Sequence, residues 1–243
     1  MNLILPPLNL SKAKAWSAHA VTSSGVILAM LALLAVVDNR PQACLLWLGA
    51  ALLVDGLDGT LARKFDVKAV LPHFDGSTLD LVIDYLTYVF IPAIFIYRYI
   101  PLPVHSELPI VGVILVSSLF CFCNVNMKSH DNYFVGFPAA WNVVAVYFFV
   151  LGSGPWVNVV TVLLLAALTL TRMKFLHPFR VRQFMPLNIS VTFIWMLSSA
   201  LLIVQQPVDQ TWLLWLWFVA SAYFVGICLW RTVVAKVVLA ERD

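Results

Sequence analysis

Asp55, Asp58, Asp80 and Asp84 lie in one short stretch, VDGLDGTLARKFDVKAVLPHFDGSTLDLVIDY, running from Val54 to Tyr85. At 3.6 residues per turn, Asp55 and Asp58 share one helix face, and so do Gly76, Asp80 and Asp84. Two antiparallel helices joined by residues 63–75 would aim all four carboxylates into one cleft. In an apolar setting each costs about 3 kcal/mol on insertion scales, and the four repel one another. Arg63, Lys64 and Lys68 are too few and too near the surface to neutralise them, so the cleft calls for bound cations.

An all-oxygen donor set, with no His at helical spacing beside it, suits a hard divalent ion, Mg²⁺ or Mn²⁺. Four carboxylates can hold two such ions and leave a neutral platform for a substrate's phosphates, the arrangement used for in-line displacement at phosphorus. Gly59 and Gly76 let a ligand or a neighbouring helix approach the backbone. Arg63 offers planar donors for a phosphate. The same acids would also serve a cation transporter, because intramembrane carboxylates mark ion paths as readily as catalytic sites.

The elements that must position these residues are membrane helices. Of 243 residues, 62% are hydrophobic and 11% charged, with a mean hydropathy of +0.92, far from a soluble domain. The expected fold is all-α and polytopic, with about eight spans near 16–37, 42–62, 76–99, 108–125, 136–152, 155–172, 186–205 and 211–235. The whole chain, 1–243, reads as one transmembrane domain, with residues 1–15 as an interfacial arm carrying Leu3, Ile4 and Leu5 toward acyl chains. Of the 15 Lys and Arg, only Arg40 and Arg98 fall on the outer side if both termini are cytoplasmic, a clear positive-inside pattern. The net charge of +3 therefore needs no nucleic-acid partner.

Outside the acidic stretch the signals are weaker. Cys44, Cys121, Cys123 and Cys228 sit in apolar surroundings at no metal spacing and read as packing residues. His19, His73, His130 and His177 do not pair at ligand spacing and read as interfacial contacts. Trp212, Trp215 and Trp217 read as an outer interfacial belt. The inner segment RMKFLHPFRVR, 172–182, is basic enough to meet a lipid phosphate or simply to set topology.

Asp55, Asp58, Gly59, Ala62 and Arg63, followed by Gly76, Asp80 and Asp84, resemble the signature of the CDP-alcohol phosphatidyltransferases, D-x-x-D-G-x-x-A-R and then G-x-x-x-D-x-x-x-D. Every fixed position of that signature is present. The spacer 64–75 is longer than the family's usual one. Together with the chain length and span number, it resembles the bacterial phosphatidylcholine synthases, as do segments such as MKSHDNYFVGFPAAWN.

The resemblance implies an enzyme of the bacterial inner membrane in which choline displaces CMP from CDP-diacylglycerol. It implies Asp55, Asp58, Asp80 and Asp84 as ligands of two divalent cations, Mn²⁺ or Mg²⁺, with Asp84 also the general base. Gly59, Ala62, Arg63 and Gly76 would contact CDP-diacylglycerol, and a homodimer is expected. Choline's quaternary ammonium needs aromatic faces, for which Tyr85 and Trp141 are the first candidates. Sister transferases that use serine, glycerol phosphate or inositol phosphate remain open at this point.

Overall fold

A computed structural model describes residues 9–207 and 211–240. Helix α1, Leu10–Val37, begins earlier than expected because Asn9 caps it, its side chain accepting from the Lys12 amide at 3.2 Å. Residues 10–15 are thus helix, while Leu3, Ile4 and Leu5 lie outside the described residues. Helix α2, Pro41–Lys64, opens with proline, whose missing N–H costs nothing in a first turn. After the single turn α3, Val67–Val70, comes α4, Gly76–Tyr99, capped by the Asp75 carboxylate, which accepts from the amides of Ser77 and Thr78.

Then follow α5 (Glu107–Phe122), α6 (Trp141–Leu151), α7 (Pro155–Thr169), α8 (Met185–Val204) and α9 (Thr211–Ala240). Five helices, α1, α2, α4, α8 and α9, are long and apolar enough to cross a bilayer. Helices α5, α6 and α7 are apolar but shorter, at 16, 11 and 15 residues. The protein is an all-α, multi-pass membrane protein.

Helix α6 falls furthest short of its expected span of 136–152. Gly136 has φ 85° and Ala139 φ 54°, and Pro138 stands between them, so the chain cannot enter a helix before Trp141. The Gly136 amide instead bonds the Met173 carbonyl at 2.8 Å, and a Cβ at Gly136 would clash with the Thr169 carbonyl oxygen. This extended stretch continues from β1, Phe134–Val135, which pairs antiparallel with β2, Lys174–Phe175. The pairing ties together the loops after α5 and after α7, with Phe134 opposite Phe175 and Val135 opposite Lys174.

Packing rests on small residues where helices approach closely. Ala29, Ala32 and Ala35 of α1 are buried in the main core with Cys44, Leu45 and Leu48 of α2. Gly25 of α1 leaves space for Ile83 of α4, whose Cγ2 would lie 2.7 Å from an added Cβ. Trp212 and Trp215 are exposed as a belt requires, but Trp217 is fully buried, its indole N–H donating to Ser199 Oγ at 2.8 Å. It is a core residue, a correction to its place in the belt. Three cysteines are buried and Cys123 is exposed.

Candidate active site

Helical periodicity builds one wall of the site. Oxygens of Asp55, Asp80 and Asp84 lie within 4.8 Å of one another. Asp58, one turn beyond Asp55, is 5% exposed and lines the same small cavity with Asp55, Gly59, Arg63 and Asp80. The ion pairs among the described residues are Arg40–Asp38 and Arg231–Asp131, both elsewhere. A dense, oxygen-only set with no protein cation in contact is the donor chemistry that a hard divalent ion requires; Asp55, Asp80 and Asp84 converge closely enough to suit one, and Asp58 lines the same cavity.

The turn after Asp84 is wound as a π-helix, Tyr85–Phe90, a deviation that often accompanies functional sites. Within it Tyr88 donates its phenolic O–H to Asp55 Oδ2 at 2.6 Å, fixing that carboxylate from α4. Tyr85 points away, donating to the Leu115 carbonyl at 3.2 Å and packing edge-on against Phe122. Trp141 is fully buried, its indole N–H donating to Ser118 Oγ at 2.8 Å. The fold thus does not bring Tyr85 and Trp141 together over the carboxylates.

The opposite wall is basic and comes from the loop after α7, which pairs with the loop after α5. His177, Phe179 and Arg180 complete the lining of the cavity. A Cβ at Gly59 would lie 3.4 Å from an Arg63 nitrogen and 3.7 Å from one of Arg180, so two guanidinium groups converge over that glycine. The Phe179 ring covers Gly56, where an added Cβ would lie 3.2 Å from it. Lys128, bridged to Phe134 in the adjoining loop, is lowered in pKa by burial and by Arg180, with partial compensation from Asp80, Asp84 and Asp55.

His177 stacks on Phe134 with ring centres 5.0 Å apart and planes at 6°. Burial, together with Arg180, Lys128 and Arg63, pushes its pKa down to about 3, so the imidazole is neutral at physiological pH. Its buried Nδ1 has no hydrogen-bond partner. Such a concentration of positive charge beside a neutral imidazole is built for an anion.

The remaining expected ligand contacts are divided between cavity and packing. Gly59 and Arg63 line the cavity. Gly76 instead makes room for His19 of α1, whose Cε1 would lie 2.5 Å from an added Cβ. Ala62 packs beside the buried cluster of Ala15, Ala18 and Val67. Sequence reasoning missed Lys128, His177, Arg180 and the role of Tyr88; the basic segment 172–182 was the available signal for two of them.

The profile of the CDP-alcohol phosphatidyltransferase family matches residues 15–173. The chain is 82% identical over 232 residues to a phosphatidylcholine synthase of Pseudomonas aeruginosa, covering 96% of this chain and 97% of that protein. It is 40% identical over 194 residues to one of Mesorhizobium japonicum, covering 80% and 72%. It is 37% identical over 214 residues to one of Rhizobium johnstonii, covering 88% of each chain.

Proposed function

Since the chain belongs to the CDP-alcohol phosphatidyltransferase family and is an enzyme of that family, we propose that it transfers the phosphatidyl group of CDP-diacylglycerol to choline, giving phosphatidylcholine and CMP. The observation that carries the reading is the meeting of the acidic wall of α2 and α4 with the basic wall of the paired loops at one cavity. The names of the relatives support choline as the acceptor.

In this reading Asp55, Asp58, Asp80 and Asp84 hold two divalent cations, Mn²⁺ or Mg²⁺. Those ions, when bound, neutralise charge on the attacked phosphate and on the departing CMP. Tyr88 orients the Asp55 carboxylate. Arg63 and Arg180 hold the substrate's diphosphate above Gly59, where the absent side chain leaves the backbone open. Asp84 takes the proton from the choline hydroxyl as the new O–P bond forms and the P–O bond to CMP breaks, general-base help worth roughly 10²–10⁴-fold. Phe179, which lines the cavity, and Tyr88, which bonds Asp55, replace Tyr85 and Trp141 as the first candidates to face the trimethylammonium.

The site opens at the end of α2 rich in Lys and Arg, which supports a cytoplasmic active site and cytoplasmic termini in a bacterial inner membrane. A homodimer, expected by resemblance, is checked by cross-linking in native membranes. The deciding experiment supplies purified protein with labelled CDP-diacylglycerol and equal choline, ethanolamine, serine and glycerol 3-phosphate. Phosphatidylcholine should dominate. Serine and glycerol 3-phosphate bring negative charge toward a diphosphate and four carboxylates, and ethanolamine brings N–H donors that aromatic faces leave unpaired. Another dominant phospholipid would overturn choline and leave the family assignment standing.

A further inference from the structure

The family profile ends at residue 173, yet Arg180 and His177 lie beyond it, and both loops of the basic wall are anchored to the inner end of the last helix. Arg231 Nε pairs with Asp131 Oδ2 at 2.6 Å, across 100 residues of sequence. The Asp131 carboxylate also accepts from Ser129 Oγ at 2.6 Å, and the Ser129 amide bonds the Tyr133 carbonyl at 2.8 Å. The Arg231 guanidinium lies over the fully buried Tyr133 ring, 5.8 Å from its centre. The neighbouring side chains on the same helix face grip the second loop: Thr232 Oγ1 accepts from the Lys174 amide at 2.9 Å, and Cys228 Sγ accepts from the Leu176 amide at 3.2 Å.

From these anchors the contacts run without a gap to the cavity. Phe134, next to Tyr133, pairs with Phe175 and stacks on His177. Lys128 bridges back to Phe134 with its ammonium 5.6 Å from that ring. His177 and Arg180 then line the cavity, whereas Arg231 and Asp131 do not. Arg231 does more than mark a side of the membrane: its side chain is only 23% exposed and paired, whereas a charge with no other role would snorkel into water.

We propose that Arg231 and Asp131 are positioning residues: their ion pair latches the two inner loops to the last helix and so sets His177 and Arg180 against the carboxylate cavity. Neither touches the reacting groups. Breaking the latch lets the basic wall drift, and a displacement of about 1 Å in groups that bind a diphosphate is enough to matter. Because those groups contact the nucleotide before and during the reaction, the loss falls on KM for CDP-diacylglycerol more than on kcat. The direction of that effect rests on the proposed transferase reading; the latch itself does not.

The test uses full-length protein in lipid nanodiscs loaded with Mn²⁺, comparing wild type with Asp131→Asn, Arg231→Gln and the exchanged pair Asp131→Arg with Arg231→Asp. Both single variants should raise KM for CDP-diacylglycerol by about tenfold, with kcat nearly unchanged. Each should also speed tryptic cleavage after Lys128, Lys174 and Arg180, read by mass spectrometry. The exchanged pair should recover much of both. Unchanged KM and cleavage in both single variants would overturn the latch, as would an exchanged pair no better than the worse single variant. Should Arg231→Gln not fold, Arg231→Lys, which keeps the charge but not the planar fork, should show an intermediate cleavage rate, and a wild-type rate sinks the proposal. If wild type releases no CMP, the transferase reading fails, and cleavage still decides the latch.

Discussion

The acidic and basic walls of the site are built in opposite ways. The acidic wall is local: Asp55 with Asp58, and Asp80 with Asp84, share helix faces by spacing alone, and α2 and α4 need only pack as neighbours to bring three of the carboxylates within 4.8 Å. The basic wall is assembled across the chain. Lys128 and Arg180 come from loops joined by a two-residue antiparallel pair and held by a helix 100 residues beyond Asp131. In the proposed reaction, the part that would do the chemistry is carried on rigid helices. The part that would meet the substrate's charge sits on loops, where positions adjust more readily.

The comparison breaks first at the acidic wall. Asp80→Asn or Asp55→Asn should lower turnover by roughly 10³-fold or more, several kcal/mol of transition-state stabilisation, while leaving the protein folded and inserted. CMP release and size-exclusion profiles check both halves of that statement. Near-normal turnover in either variant would remove the carboxylates from the metal role. Chelator-stripped protein should likewise be inactive and recover with Mn²⁺ or Mg²⁺ but not with Ca²⁺, whose looser and longer coordination misplaces phosphates. Full activity in excess EDTA would contradict it.

Tyr88→Phe sharpens the view of the helical wall. The variant keeps the ring and removes only the O–H that holds Asp55 at 2.6 Å. Partners of this kind typically contribute 10–100-fold to metal affinity, so Mn²⁺ binding followed by electron paramagnetic resonance should weaken by about tenfold or more. Tyr85→Phe, whose hydroxyl meets the Leu115 carbonyl, should bind as wild type does. Equal affinities for the two variants would leave the Tyr88 hydrogen bond without a role in the site.

The two walls also differ in how far they can be read without coordinates. The carboxylate cluster was legible because one helix period fixes which side chains share a face, and the eight apolar segments reappear as helices with shifted ends. What was hidden depends on contacts distant in sequence. Gly76 matches a ligand-contact position in the family signature, yet its space is filled by His19 from α1. Trp141 and Trp217 look like a substrate ring and a belt residue until Ser118 and Ser199 are found to satisfy their indoles inside the bundle. Helix α6 loses its expected first turn to backbone bonds with α7 and the loop after it, partners no local pattern names.

Arg180→Ala probes the basic wall directly and should act on a different constant from Asp80→Asn. Removing one charged partner of a diphosphate should raise KM for CDP-diacylglycerol about tenfold, with a smaller change in kcat and little change in Mn²⁺ affinity. Should Arg180→Ala instead lower kcat as severely as Asp80→Asn with KM intact, the division of labour between the walls is wrong.

The smallest expected effect concerns His177 and has a definite sign. In the unfolded chain the imidazole titrates near 6.5; in the folded protein burial and the cations of Arg180, Lys128 and Arg63 push it down to about 3. Above pH 6.5 both states hold it neutral, and its pKa shift leaves stability unchanged. As pH falls below 6.5 the unfolded state takes up a proton that the folded state refuses, so stability is lost at up to ~1.4 kcal/mol per pH unit until the folded pKa is approached. His177→Gln has no such proton to gain, and the stability difference between wild type and this variant should therefore shrink or reverse between pH 7 and 5. Thermal denaturation of both proteins in the same micelles, at several pH values and with Mn²⁺ saturating, measures it. Parallel pH profiles would mean that His177 is protonated in place, and that its burial and the cations around it do not hold it neutral.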